Sequence, residues 1–187
     1  MKTILCLAIL FKCIGIIISG ILCVNAVSAQ NIVGSSEYSF GIEGALPIGN
    51  FEKSNKFGFG GSIKYAYNFT ENVALSLQVG YLHFSQKDSL ENPNPYMVKR
   101  VVPVLVGLRY SLSKPFYIEP QVGAANTGYR IAGEDENQTN IGYGLNIGYV
   151  TKSHWDISLN FKGSQLERNN LFWCGLKLAY TLPVTMD

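Results

Sequence analysis

The sequence predicts an all-β fold: an eight-stranded, antiparallel, up-and-down transmembrane β-barrel preceded by a cleaved signal peptide. Three observations predict it. Residues 37 to 182 divide into eight segments of alternating apolar and polar residues. The linkers between them alternate long (Pro47–Asn55, Ser85–Met97, Thr127–Gln138, Ser164–Asn169) and tight (Thr70–Asn72, Ser113–Pro115, Thr151–His154). That rhythm is the mark of a barrel with short turns at one end and long loops at the other. The third observation is a secretory leader.

In that leader Lys2 supplies the positive start, Cys13 to Val24 is nearly all apolar, and Val27-Ser28-Ala29 is a small-residue cleavage pattern before Gln30. Lys12 leaves about 12 apolar residues after it, too few for a spanning helix, which needs about 20. Residues 1–29 are therefore expected to be a signal peptide and residues 30–187 one barrel domain; the alternative is a retained anchor. Gly20-Ile21-Leu22 before Cys23 is a poor lipoprotein match. Without Lys2 and Lys12 the 15 Lys and Arg fall to 13, equal to the 13 Asp and Glu. No basic surface for nucleic acid is expected. Cys6, Cys13 and Cys23 lie in the leader, so Cys174 alone remains, with no internal disulfide and no cysteine metal site.

Successive side chains of a strand take opposite faces. In the first segment Tyr38, Phe40, Ile42 and Leu46 oppose Ser39, Gly41, Glu43 and Ala45. The second sets Phe57, Phe59, Ile63, Tyr65, Tyr67 and Phe69 against Ser62, Lys64 and Asn68. The third sets Val73, Leu75, Leu77, Val79 and Tyr81 against Ser76, Gln78 and Gly80. In the fourth, Val102, Val104, Val106, Leu108 and Tyr110 oppose Gly107 and Arg109. In the fifth, Phe116, Ile118 and Val122 oppose Tyr117, Glu119, Gln121 and Gly123. The last three are Ile141–Tyr149, Trp155–Phe161 and Leu176–Leu182, each with every second residue apolar. No window keeps a 3.6-residue period, so no helix is expected after the leader. Pro103 and Pro120 cannot donate to a closed ladder and are expected to mark bulges or strand boundaries.

A soluble lipocalin-like barrel and a β-sandwich share this rhythm. Against them stand the length of the segments, the aromatic residues at strand ends (Tyr65, Tyr110, Phe116, Tyr149, Trp155, Tyr180), and polar faces rich in glycine and poor in mid-strand charge. The apolar face then meets lipid. The inward set is Glu43, Lys64, Gln78, Arg109, Glu119, Asn146, Asp156, Asn160, Lys162 and Lys177. Eight strands leave a lumen that side chains fill, so these charges are expected to pair into a structural core. A selectivity filter or proton path is the alternative.

Other signals carry little chemistry. His154 has no second ligand at metal spacing, so no metal and no cofactor is expected. Gly58, Gly60 and Gly61 fit a lumen-facing strand better than a phosphate loop, because no helix follows. Asn68-Phe69-Thr70 and Asn137-Gln138-Thr139 match the glycosylation pattern without a compartment that would use it. Gly133-Glu134-Asp135-Glu136 is an acidic tip, read as solvated charge rather than a cation or partner site.

Tyr65-Ala66-Tyr67-Asn68-Phe69-Thr70-Glu71-Asn72, and Gly107-Leu108-Arg109-Tyr110 leading into Tyr117-Ile118-Glu119, give the chain its resemblance to a known group. It resembles the small outer-membrane β-barrels of Gram-negative bacteria, the OmpA/OmpX-like barrels, and especially the versions common in Bacteroidota. The resemblance covers the whole mature chain. It implies residence in the cell outer membrane, contact with its lipids and its assembly machinery, and a structural or surface-interaction role such as envelope integrity or adhesion. A surface partner would meet the loops Ser85–Met97 and Thr127–Gln138. Such barrels usually end on an aromatic residue, whereas here Tyr180 is followed by residues 181–187.

The enzymatic alternative rests on His83-Phe84-Ser85, with Glu91 as the third group of a Ser–His arrangement. It is similar to the His-x-Ser of lipid A deacylases, although that family carries the motif near the chain end. His83 and Ser85 read more simply as rim residues, and no catalytic residue is assigned.

Overall fold

The computed structural model describes residues 33–87, 97–113, 115–131, 134–166 and 169–184. The expected leader and Glu91 lie outside the described residues. Among those described, eight strands close into one antiparallel barrel in chain order. They are β1 (Ser36–Ile48), β2 (Asn55–Asn68), β3 (Val73–Gln86), β4 (Met97–Ser113), β5 (Phe116–Ile131), β6 (Glu134–Val150), β7 (Trp155–Leu166) and β8 (Asn169–Val184). Pairing of Ser36 with Val184 brings both ends of the barrel wall to one rim, called the terminal end below.

The register fixes the shape. Stepping sideways from Ser39 through Lys64, Gln78, Leu105, Gly123, Gly142 and Ser164 arrives at Leu171. That residue is ten positions from Thr181, the direct partner of Ser39. Such a stagger around eight strands tilts them by about 35–45° and leaves a bore that side chains fill.

Alternation decides which side chains enter that bore. The outward positions of β3 are Val73, Leu75, Leu77, Val79 and Tyr81, and the four from Leu75 onward are exposed; the inward ones, Ala74 to Phe84, are buried. The same division holds around the wall, so the exterior is apolar and every one of the ten predicted inward residues is buried. An apolar outside and a charged inside is the opposite of a soluble barrel. Rings pair on the outside near the terminal end, Tyr38 with Tyr65, Phe116 with Tyr149 and Trp155 with Tyr180, at centroid separations of 5.1, 5.1 and 5.3 Å. Such rings suit the boundary between lipid tails and headgroups. No described helix is long and apolar enough to cross a membrane, and the strands do the crossing.

The structure corrects several expectations. Thr127–Gln138 and Ser164–Asn169 are not loops: β5 runs to Ile131, β6 starts at Glu134, and β7 runs to Leu166. Residues 134–137 are polar and exposed, and Thr127 and Ser164 are polar although buried, so the backbone stays paired while the apolar–polar alternation that identifies a strand is lost. A five-residue helix, α1 (Asn50–Ser54), occurs where none was expected; it is too short to show a period, and it buries Phe51 and Ser54 one turn apart. Gly61 belongs to the outward face, with Ile63 and Phe59, rather than to the lumen.

Pro103 and Pro120 are neither bulges nor boundaries. Both lie inside strands whose register is unbroken. The β3–β4 ladder keeps Val79 with Val104 and Leu82 with Val101, skipping the two positions around Pro103. The β4–β5 ladder likewise skips two positions at Pro120, between Gly107 with Gln121 and Tyr110 with Ile118. In an antiparallel strand the N–H and C=O of one residue point to the same neighbour. Each proline therefore opens one ladder and leaves the other intact. The true irregularities fall near strand ends, between Asn55 and Gly58, Val98 and Arg100, and Ser111 and Ser113.

Candidate functional site

Toward the terminal end the lumen holds an ionic network centred on Glu119. One oxygen of its fully buried carboxylate lies 3.2 Å from Lys64 Nζ and 3.2 Å from Arg109 Nε. The other accepts from the Ser76 hydroxyl at 2.9 Å and from Gln121 Nε2 at 2.7 Å. Asp156 faces the same cations, 3.5 Å from Lys64 and 3.7 Å from Arg109. The Tyr117 hydroxyl donates to that carboxylate, whose oxygens stand 2.7 and 2.9 Å away. The Arg109 guanidinium also lies 4.4 Å from the centre of the Tyr117 ring. A second pair, Lys162 with Glu43 at 2.8 Å, joins β7 to β1 across the bore.

Closeness to the wall explains one of these placements. A side chain on Gly148 would fall on the Tyr117 ring, so glycine there lets the ring lie flat and aim its hydroxyl at Asp156. Glu37, at the terminal rim, stands 3.5 Å from Arg109. With it, four carboxylates (Glu37, Glu43, Glu119, Asp156) match four cations (Lys64, Arg109, Lys162, Lys177). Buried charges cost several kcal/mol each unless paired and hydrogen-bonded, and this set meets both conditions for most of its members.

Toward the other end the inward residues become apolar. Phe51, Leu82, Phe84, Val98, Val101, Leu171 and Trp173 form one cluster with Ala45, Ala125 and Tyr129. The helix α1 folds back into the mouth and drops Phe51 onto Phe84, with ring centres 4.8 Å apart; Phe84 in turn meets Trp173 at 6.2 Å. Salt bridges thus close one half of the bore and a packed apolar plug the other. Sequence reasoning found the ten polar members and missed Glu37, the role of Tyr117, and the whole plug.

His83 and Ser85 are both exposed on the outward face of β3. The strand spaces them by about 6.8 Å, and among the described residues no hydrogen bond joins them. The acidic tip is an ion-paired hairpin end: Asp135 accepts from Lys99 at 2.6 and 2.7 Å and from Arg130 at 2.8 Å. Those two hydrogen bonds, Lys99 first, hold the Asp135 carboxyl below the usual aspartate range. His154 sits in the β6–β7 turn at φ 65°, its ring 6.4 Å from that of Tyr180. No group of three or more His, Cys, Asp or Glu able to hold a metal occurs among the described residues.

The sequence model of the family described as outer membrane protein beta-barrel domain matches residues 19–176. The chain belongs to that family. It is an integral β-barrel of the cell outer membrane, surrounded by that membrane's lipids, with a lumen filled by its own side chains. A search of curated protein sequences gives no match. Among solved structures the barrel is similar to Ail, the attachment invasion locus protein of Yersinia pestis, at 17% identity and TM-score 0.59, over 81% of this chain and 100% of that one. It is also similar to Neisserial surface protein A at 12% identity and TM-score 0.56, over 79% and 96% of the two chains. The N-terminal barrel domain of Pseudomonas aeruginosa OprF matches at 16% identity and TM-score 0.51, over 80% and 99%. At these identities the likeness is one of fold.

Proposed function

We propose that the protein is a structural and surface-interaction barrel of the envelope, and neither a porin-like pore nor a lipid-modifying enzyme. The observation that carries this reading is the double closure of the lumen, by the Glu119 network at one end and the Phe51–Phe84–Trp173 stack at the other. What remains to interact is the rim away from the termini, which carries the extended β5–β6 hairpin and the linker between β3 and β4. The terminal end faces the periplasm in this reading. Ail has been solved with the heparin analogue sucrose octasulfate, which supports a surface role for a barrel of this shape. Residues 1–29 serve as the cleaved leader, and the outer-membrane assembly machinery inserts the rest.

Purified protein in planar bilayers tests the closed lumen. Absence of stable, large unitary currents is the expected result; steady openings at neutral pH would make it a channel. N-terminal sequencing of the protein recovered from outer membranes should begin at Gln30, and an intact Met1 or a start further along would reject the leader.

A further inference from the structure

Where β3, β4 and the β5–β6 hairpin rise past the outermost aromatics, the outside of the wall carries a cleft of about 330 Å³. Tyr81, His83, Lys99, Arg100, Gly128 and Asn137 border it, as do Asp135 and Glu136. The two acids are already engaged, Asp135 by Lys99 and Arg130, Glu136 by the Tyr129 hydroxyl at 3.1 Å. Arg100 differs. Its guanidinium donates to Asn137 Oδ1 at 3.0 Å, and among the described residues no carboxylate lies within 4 Å of it. Its stem is laid flat by Gly128, where a Cβ would stand 2.9 Å from both Cγ and Nε of Arg100. The register that places Arg100 opposite Gly128 thus sets on the lipid-facing side a guanidinium that has no ion-pair partner among the described residues.

Height decides what that cation meets. Tyr81 and Phe59, 48% and 58% exposed, are outward neighbours just nearer the membrane, and His83 pairs with both Phe59 and Arg100. Outward aromatics lie at the tail–headgroup boundary, so the cleft stands at headgroup level. We propose that it binds a phosphate of an acylated, phosphorylated glycolipid of the outer leaflet. The Arg100 fork takes the phosphate oxygens, and the acyl chains lie on Phe59, Tyr81 and Val79. A planar guanidinium suits phosphate because it donates two parallel hydrogen bonds. Most of its lining, Tyr81, His83, Arg100, Gly128 and Asn137, lies on the outward face of the wall, which favours a lipid phosphate over a soluble anion. The inference rests on this end facing outward, and it holds whether or not the lumen conducts.

Native mass spectrometry of the detergent-folded protein, titrated with bisphosphorylated or dephosphorylated lipid A, tests it. The phosphorylated form should be retained about tenfold better, and Arg100→Gln should lower its retention about tenfold, the scale of one lost charged hydrogen-bonding group. Gly128→Ala keeps every charge but displaces the Arg100 stem, and should weaken retention several-fold. Lys152→Gln, in the turn at the terminal end, should change nothing, and heat-modifiability on gels confirms that each variant is folded. Equal retention of the two lipids, or an unaffected folded Arg100→Gln, overturns the site. Displacement by sucrose octasulfate or inorganic phosphate, with no preference for the acylated ligand, also overturns it in favour of a soluble anion. Channel recordings on the same variants keep this outcome separate from any failure of the closed-lumen reading.

Discussion

The two halves of the lumen are walled by the same strands and filled by opposite chemistry. On β3 the inward residues run from Ser76 and Gln78 to Leu82 and Phe84; on β8 they run from Thr181 and Lys177 to Trp173 and Leu171. Near the termini, charges are tied by specific distances and each depends on its partners. Near the other rim, rings and aliphatic groups pack without directional bonds. On β7 the inward residues from Asp156 through Ser158, Asn160 and Lys162 to Ser164 are all polar and buried. One bore can thus be closed in two ways: an ionic half in which the loss of one member strands the others, and an apolar half in which a loss leaves a hole.

The largest effect should come from the ionic half. Glu119→Ala removes the carboxylate that faces both Lys64 and Arg109, at a cost of about 3–5 kcal/mol, because two buried cations are then left to share the Asp156 carboxylate. Urea unfolding in detergent micelles measures it, and a loss below about 1 kcal/mol would show that water already carries those charges. Adding Arg109→Ala should cost less than the sum of the two single changes, since the pair shares one network.

In the apolar half Phe51→Ala should cost about 3 kcal/mol, the low end for a buried aromatic because the short α1 can resettle. Combined with Glu119→Ala the two losses should add, and strong coupling in the unfolding data would erase the distinction between the halves.

Smaller again is the acid response of the β5–β6 hairpin. The Asp135 carboxyl titrates below its unfolded value, so its contribution is present above the unfolded pKa and fades as pH falls through the folded one. Amide exchange at the hairpin tip should quicken in that acid window while the barrel wall is unchanged; Asp135→Asn should abolish the pH dependence. The smallest effect is predicted for His83→Ala combined with Ser85→Ala. Stability should stay within about 0.5 kcal/mol, because both are exposed, and lipid A from cells expressing native or variant protein should carry the same acyl chains. Loss of an acyl chain with the native protein alone would reinstate the enzyme.

The contrast also explains what could be read from the chain beforehand. Wherever one face is apolar and the other polar, alternation betrays the strand, and Lys64, Arg109, Glu119 and Asp156 were all legible as inward. Above Gly80 on β3 the phase inverts, with Leu82 and Phe84 inward and His83 and Ser85 outward, and above Gly175 on β8 both faces turn apolar. Leu82, Phe84, Leu171 and Trp173 then break the polar-inward phase of the band below, and the plug they form was invisible. The hairpin around Arg130 and Asp135 failed for the complementary reason, its β6 arm from Glu134 to Asn137 being polar on both faces. Glu37 was passed over because a carboxylate at a strand start looks solvated until Arg109, 72 residues on, is seen to reach it.

Both prolines act on β4. Pro103 parts it from β3, and Pro120 parts it from β5 nearer the terminal end, so this strand is loosened along diagonally opposite edges. The β1–β2, β1–β8, β5–β6, β6–β7 and β7–β8 seams pair without a skipped position, whereas here opening can start from a gap already present. In a lipid environment an unmet backbone group has no water to turn to. A closed barrel has no edges, yet this one carries two short slits, and breathing of the wall should begin at them.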